Sequence, residues 1–350
     1  MEERSRNLFI YYNFMLQLDI AQYKKISIIV PVYNAERFLS VCLDSIFCQN
    51  FDKSCYEVIC INDGSKDNSL SILNQYAELH TNLIIIDQAN SGPASARNVG
   101  LKVAQYDYIW FVDSDDYVGE NSLYNLSIGL GEPYDFLIFG YFVINENGLL
   151  INRGVNKYKK KKDLSGADLY IQNSIPSYPW NRVFSRTFLR DNHLTFDWDY
   201  PDDEEFLFRT YCLATHTHIT NTPFYYYRII NTSYSRNINS YKKYVNGYLG
   251  MMEKLKPFSE KYFISHFWCK ITWSNIRNWN LNLFKYEKRL NTSDKEEIRN
   301  FLLREKIVLR ELVELYKGST FYWYIIYLIS RLPHLFYLLF CLAAKIKRVK

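Results

Sequence analysis

Between Lys25 and Tyr117 the chain alternates short apolar runs, rich in β-branched residues, with longer stretches in which apolar positions recur every three or four residues. The runs have the composition of buried strands and the stretches the period of half-buried helices, so β-α-β-α order around a parallel sheet is predicted. Strands are expected at Ile26 to Val32, Tyr56 to Ile61, Asn82 to Asp87 and Asp107 to Val112, with helices at Ala35 to Gln49, Asp67 to His80 and Ser91 to Gln105. In the first helix Phe38, Leu39, Cys42, Leu43 and Ile46 form one stripe; in the second Leu70, Leu73, Tyr76 and Ala77 do so. Pro93 falls in the first turn of the third, where proline is tolerated. Beyond Asn121 a short helix and the apolar run Tyr134 to Val143 continue the sheet, after which the period weakens. Lys159 to Lys162 read as a solvated hairpin, and residues 240–317 return to a helical pattern.

The apolar stretch from Phe321 to Ala344 is broken by Arg331, Pro333 and His334, and each half is too short to cross about 30 Å of hydrocarbon. Its aromatic content and the cationic tail K-I-K-R-V-K fit an amphipathic helix pair lying on an anionic membrane surface, each cation contributing about 1 kcal/mol. A C-terminal core helix pair or a re-entrant segment fits the same pattern.

Composition narrows the function classes. The 350 residues carry 42 Lys and Arg against 37 Asp and Glu, and four of those cations sit in the final six positions. The remainder is nearly neutral, which argues against nucleic acid as a partner. The 31 tyrosines, 23 phenylalanines and 7 tryptophans suit sugar faces, interfaces and cores alike. Seven cysteines without C-x-x-C pairs indicate neither a zinc site nor a disulfide frame, and the opening residues lack a cleavable signal pattern. A reducing cytoplasmic location is expected.

Candidate chemistry clusters at strand ends. F-V-D-S-D-D-Y places Asp113, Asp115 and Asp116 at the carboxyl end of the fourth strand, where ligands of open α/β sheets bind. Three carboxylates so close repel one another, so a site for Mg²⁺ or Mn²⁺ with a diphosphate and a solvated acidic turn both fit. V-P-V-Y-N-A-E (Val30 to Glu36) and N-D-G-S (Asn62 to Ser65) leave neighbouring strands at the same edge. Neither G-x-G-x-x-G nor G-x-x-x-x-G-K-S/T occurs, so any nucleotide is held in another way.

I-S-I-I-V-P-V-Y-N-A-E, I-N-D-G-S-K-D-N-S, N-S-G-P-A-S-A-R-N-V-G and F-V-D-S-D-D, in this order, resemble family 2 of the inverting glycosyltransferases over roughly Lys25 to Asn125. The resemblance implies an α/β, Rossmann-like nucleotide-diphospho-sugar transferase domain; with the apolar pattern beyond it, the expected fold is that domain with a mixed sheet, followed by a helical C-terminal region. By the same resemblance Pro31, Val32, Tyr33 and Glu36 frame the uracil and ribose of a UDP-sugar, Asp63 accepts from the uracil N3–H, and Arg97 lies near the diphosphate. Asp113 and Asp115 form the D-x-D, with Asp115 and Asp116 toward the metal. Asn62 stands where many members have a second Asp.

Y-P-W-N-R-V-F-S-R-T-F-L (Tyr178 to Leu189) and Y-P-D-D-E-E-F-L-F-R (Tyr200 to Arg209) are similar to the family's acceptor half. Its E-D-x-x-F element, which carries the catalytic base, reads D-D-E-E-F here and aligns the base with Asp203. The expected organisation is an extension at 1–23, a catalytic domain at 24–235, a helical region at 236–318 and a membrane-associating segment at 319–350. The expected activity is inverting transfer of a sugar from a UDP-sugar, with Mn²⁺ or Mg²⁺, to a hydroxyl of a glycan or lipid-linked acceptor in bacterial envelope polysaccharide synthesis, peripheral to the cytoplasmic face of the inner membrane. A non-catalytic carbohydrate-binding or scaffold subunit and a nucleotidyltransferase are the alternatives.

Overall fold

The computed structural model describes residues 23–154, 164–172, 178–197 and 202–230, with a few positions between 247 and 258. The chain divides into two units, Met1–Arg236 and Asn237–Lys350, and nearly all described residues belong to the first. Apart from Tyr23 and those few positions, the expected extension, helical region and membrane-associating segment lie outside the described residues.

Four strands, β1 (Ile26–Val32), β2 (Tyr56–Asp63), β3 (Leu83–Gln88) and β4 (Tyr108–Phe111), run parallel in the order 3-2-1-4. Every residue of β2 and β4 is buried, Glu57, Asn62 and Asp63 of β2 included, so both strands are mostly apolar rather than alternating. Helices α1 (Leu39–Phe47), α2 (Ser69–Leu79) and α3 (Pro93–Val103) connect them. Each is shorter than the periodicity predicts, and ahead of α1 the amides are satisfied by a neighbouring loop. Ala35 N donates to Ser69 Oγ at 2.9 Å and Glu36 N to Asp67 Oδ2 at 2.9 Å, so the turn before α1 is stitched to the next loop instead of continuing the helix. Helix α3 sits directly on β1: a Cβ at Gly100 would stand 2.4 Å from Ile29 Cγ2, so only glycine permits this approach.

Beyond β4 the sheet becomes mixed. β8 (Arg182–Ser185) is antiparallel to both β4 and β6 (Phe136–Ile144), β9 (Thr217–Arg228) is parallel to β6, and β5 (Tyr117–Val118) closes the edge against β9. β7 (Leu150–Gly154) forms a hairpin with β6. The path is therefore β3-β2-β1-β4-β8-β6-β9-β5. Helices α4 (Ser122–Gly129), α5 (Gly166–Gln172), α6 (Arg186–Asp191) and α7 (Asp202–Leu213) complete the described part. Trp110, Phe111, Phe139, Phe184 and Phe206 are fully buried in its interior. This is the expected Rossmann-like α/β domain with a mixed sheet. Among the described residues no helix is long and apolar enough to cross a membrane.

Strand order reverses between β1 and β4. Loops leaving the carboxyl ends of these two strands diverge to opposite sides, opening a crevice at that edge.

Candidate active site

The crevice is walled on one side by the loops after β1 and β2, which hold each other. Asn34 adopts a left-handed φ of 49°. Its N–H donates to Ser65 Oγ at 3.1 Å and its Oδ1 accepts from Lys66 N at 2.7 Å. Glu36 Oε2 accepts from both the backbone N–H and the side-chain amide of Asn68, each at 2.9 Å. Pro31 is half-buried and Val32 fully buried beside Asn62, whereas Tyr33 is 52% exposed and presents its ring at the rim. Of the predicted base-framing residues, Tyr33 thus offers open surface, while Glu36 holds the second loop in place.

Asp63, at the end of β2, organises a third loop. Its Oδ1 accepts from Gln88 Nε2 at 2.7 Å and Ser91 N at 2.8 Å, and its Oδ2 from Gly92 N at 2.9 Å. The carboxylate thereby ties down the loop from which α3 starts, and only one hydrogen bond is made at Oδ2. Gly64, at φ 68°, lets that loop pass close: a Cβ there would meet Asn90 N at 2.7 Å. The Asn62 departure has a partner. Its Nδ2 donates to Asp87 Oδ1 at 2.7 Å, where a second carboxylate would face like charge.

On the other side of the crevice the D-S-D-D segment forms a turn, Asp116 N donating to Asp113 O at 3.1 Å. Its far wall is β9. Tyr225 Oη accepts from Asp113 N at 3.0 Å and donates to Asp116 Oδ2 at 2.8 Å. Arg228 N donates to Asp116 Oδ1 at 2.6 Å, and Arg228 Nε to Asp115 O at 2.9 Å. Burial, reinforced by the charges of Asp115 and Asp113, pushes the Asp116 pKa well up. Burial and the Asp113 charge raise Asp115 to about 6. Tyr225 and Arg228 escaped the sequence reading; the four tyrosines and arginine clustered from Tyr225 to Arg228 and at Tyr117 carry no spacing that announces them.

Arg97, on α3, joins the two halves. Its guanidinium is buried, with Nη2 3.2 Å from Asp113 Oδ1, and Nη1 2.7 Å from Asp202 Oδ2 and 3.1 Å from Asp203 Oδ1. It also lies over the Phe196 ring, 5.3 Å from the centroid. Burial opposes its charge, but Asp203, Asp202 and Asp113 outweigh that and hold its pKa above the ordinary value. Asp202 and Asp203 open α7, with four acidic residues in the first turn where the helix dipole favours them. Burial raises both carboxyl pKa values against the pull of Arg97, that of Asp203 well above the ordinary value. The side chain of Asp203 is 27% exposed and that of Asp202 13%. Asp203 is therefore the carboxylate better placed to meet a molecule entering from solvent.

The structure brings Arg97, Asp113, Asp202 and Asp203 into direct contact, with Asp115 and Asp116 on the same turn as Asp113. Pro31, Val32, Tyr33, Glu36 and Asp63 belong to the opposite wall. No group of three or more His, Cys, Asp or Glu is arranged as a ready metal cage among the described residues. The donor set nonetheless suits a hard cation: all oxygens, with two of three neighbouring carboxyls raised in pKa by burial and mutual repulsion. Both oxygens of Asp116 already accept from Tyr225 and Arg228, so the geometry favours Asp115, with Asp113 beside it, as the ligand surface.

A model of glycosyl transferase family 2 matches residues 27–192. The poly(ribitol-phosphate) beta-glucosyltransferase of Bacillus spizizenii is 35% identical over 212 residues, 59% of this chain and 32% of that protein. The putative glycosyltransferase EpsH of Bacillus subtilis is 28% identical over 210 residues, 58% of this chain and 60% of its own length. The match to the uncharacterized glycosyltransferase YibD of Escherichia coli is 29% over 275 residues, covering 72% and 78%. Thus the chain spans a third to three fifths of the first two relatives. Residues 1–349 of Staphylococcus aureus TarS, solved in complex with UDP-GlcNAc, share the fold with a TM-score of 0.68 at 22% identity, over 81% of each chain.

Proposed function

From the match of residues 27–192 to glycosyl transferase family 2, we propose that the chain transfers a sugar from a UDP-sugar to a hydroxyl of a glycan or lipid-linked acceptor in bacterial cell-envelope polysaccharide synthesis, inverting the anomeric carbon. One observation carries the reading: the D-x-D residue Asp113 and the acceptor-side Asp203 converge on a single guanidinium, that of Arg97, at the switch-point edge of the sheet. Relatives named as a poly(ribitol-phosphate) glucosyltransferase and an N-acetylglucosaminyltransferase support the envelope context, and the TarS complex with UDP-GlcNAc supports the donor class.

In the proposed mechanism Tyr33 stacks on the uracil, Pro31, Val32 and Glu36 shape the floor, and the remaining lone pair of Asp63 Oδ2 accepts from the N3–H. Arg97 turns from the carboxylates to the diphosphate as the donor enters, a charge-assisted bidentate contact suited to its fork. Freed of that pairing, Asp203 takes the proton of the acceptor hydroxyl as its oxygen attacks the anomeric carbon opposite the diphosphate. Its pKa, raised by burial, makes it a better base than an exposed carboxylate. A single base without a second nucleophile gives inversion. Mn²⁺ or Mg²⁺, held by Asp115 with Asp113 while Asp116 braces the turn, would supply charge neutralisation for the departing UDP.

The experiment is a thermal shift with UDP and Mn²⁺, followed by a UDP-release assay with UDP-glucose and UDP-GlcNAc. Stabilisation by UDP and release of UDP support the reading; a chain that neither binds nor releases UDP refutes it. The inner membrane surface, engaged through residues 319–350, and a cytoplasmic, peripheral location complete the proposal. Deleting 319–350 is expected to move the chain from the membrane to the soluble fraction.

A further inference from the structure

The acceptor side of the site carries a column of aromatic rings that the mechanism leaves unused. Tyr178 stacks on Trp180 with centroids 4.9 Å apart and planes at 8°. Trp180 in turn stacks on Tyr225 at 4.6 Å and 12°, and on Tyr227 at 5.3 Å and 12°. Tyr225 and Tyr227 lie two apart on β9 and so share a face of the sheet. Trp180 is pinned through its carbonyl, which accepts from Trp110 Nε1 at 2.9 Å. At the inner end the Tyr225 hydroxyl reaches Asp116 at 2.8 Å, so the column runs from the D-S-D-D turn outward. Its outer end, Tyr178, is 37% exposed, whereas Trp180 and Tyr225 are buried.

The backbone of Tyr178 is also tied to the helix that carries the candidate base. The Arg182 guanidinium donates to the carbonyl of Tyr178 and to the hydroxyl of Tyr211 on α7, the helix that opens with Asp202 and Asp203. Beyond burial, the charges of Glu204 and Asp203 act on the Tyr178 hydroxyl and raise its pKa. A ring stacked in such a column and still partly exposed, with the charges of Glu204 and Asp203 acting on its hydroxyl, offers a pre-ordered apolar face with a polar rim. That matches the C–H face of a pyranose, whose hydroxyls radiate in the ring plane. An acyclic polyol phosphate has no such face.

We infer that Tyr178 is the acceptor platform: a pyranose ring of the acceptor stacks on it and thereby presents a hydroxyl to Asp203. This rests on the reading of Asp203 as the base and names the acceptor as a ring sugar. The test uses the full chain with UDP and Mn²⁺ present, and saturation-transfer NMR with methyl β-glucoside, methyl β-galactoside, methyl N-acetyl-β-glucosaminide and, as the acyclic probe, ribitol phosphate. At least one pyranoside is expected to bind wild type, Tyr178→Phe and Tyr178→Trp through its ring C–H protons, and to bind Tyr178→Ala about tenfold more weakly. The UDP thermal shift is expected to be the same in all four proteins. Undiminished pyranoside binding by Tyr178→Ala, binding of ribitol phosphate alone, or no pyranoside binding by wild type overturns the platform while the UDP shift persists. Absence of the UDP shift in wild type instead brings down the donor reading, and the platform with it.

Discussion

Arg97 Nη1 stands 3.1 Å from Asp203 Oδ1, and no other cation is paired with that carboxylate in the described ion pairs. The contact lacks hydrogen-bond geometry, and Asp203 Oδ1 is otherwise unpartnered, as is Arg97 Nε. The pair is thus electrostatically close but geometrically unfinished. Such an arrangement lets the guanidinium leave Asp203 with little hydrogen bonding lost there, whereas Asp202 Oδ2 and Asp113 Oδ1 accept hydrogen bonds from it at 2.7 and 3.2 Å that an incoming diphosphate has to replace.

Removing that guanidinium strands three carboxylates. Arg97→Ala is expected to cost about 3–5 kcal/mol of stability, since Arg97 and Asp202 are largely buried and an unpaired charge in that setting is expensive. Arg97→Lys keeps the charge without the fork, and is expected to recover stability more than turnover. Urea unfolding together with UDP release separates the two effects.

The acid limb of the activity profile follows from Asp203. Burial holds its pKa well above the ordinary carboxylate value, so the base is protonated and inactive below that raised pKa, and activity rises with pH through it. Asp202 adds to the rise through its charge. Asp202→Asn is therefore expected to shift the acid limb to lower pH, measured as the midpoint of the kcat profile. The pair titrates as a unit, so the midpoint belongs to the cluster rather than to one residue.

Tyr225→Phe tests the wall behind the acidic turn. It removes the donor to Asp116 Oδ2 and the acceptor for Asp113 N, leaving one buried and one partly buried polar group unpaired. A loss of about 1–3 kcal/mol in urea unfolding is expected, with impaired metal stimulation of turnover as the turn loosens.

The half of the fold built from parallel strands was legible because β1, β2 and β4 are buried almost throughout, the edge strand β3 keeps a β-branched apolar run, and each helix buries one face, so apolar period and element coincide. The mixed half was not. β8 is four residues long, β5 two, and β9 carries T-H-I-T-N-T-P-F-Y-Y-Y-R, whose buried positions follow no regular alternation. Its burial is set by pairing with β6 across two register irregularities, a tertiary effect that local pattern does not encode. In the site, motif resemblance led to Arg97, Asp113 and Asp203. It could not reveal that Asp63 and Glu36 hold loops, or that Tyr225 and Arg228 occupy both oxygens of Asp116, since those partners lie up to 112 residues away.

Whether Asp203 is the proton acceptor is decided by Asp203→Asn, assayed for UDP release and for UDP affinity by thermal shift. The substitution keeps the volume and removes the basicity. Turnover is expected to fall by about a thousandfold while UDP affinity stays within about twofold of wild type. Turnover at the wild-type rate in Asp203→Asn would show that another group takes the proton.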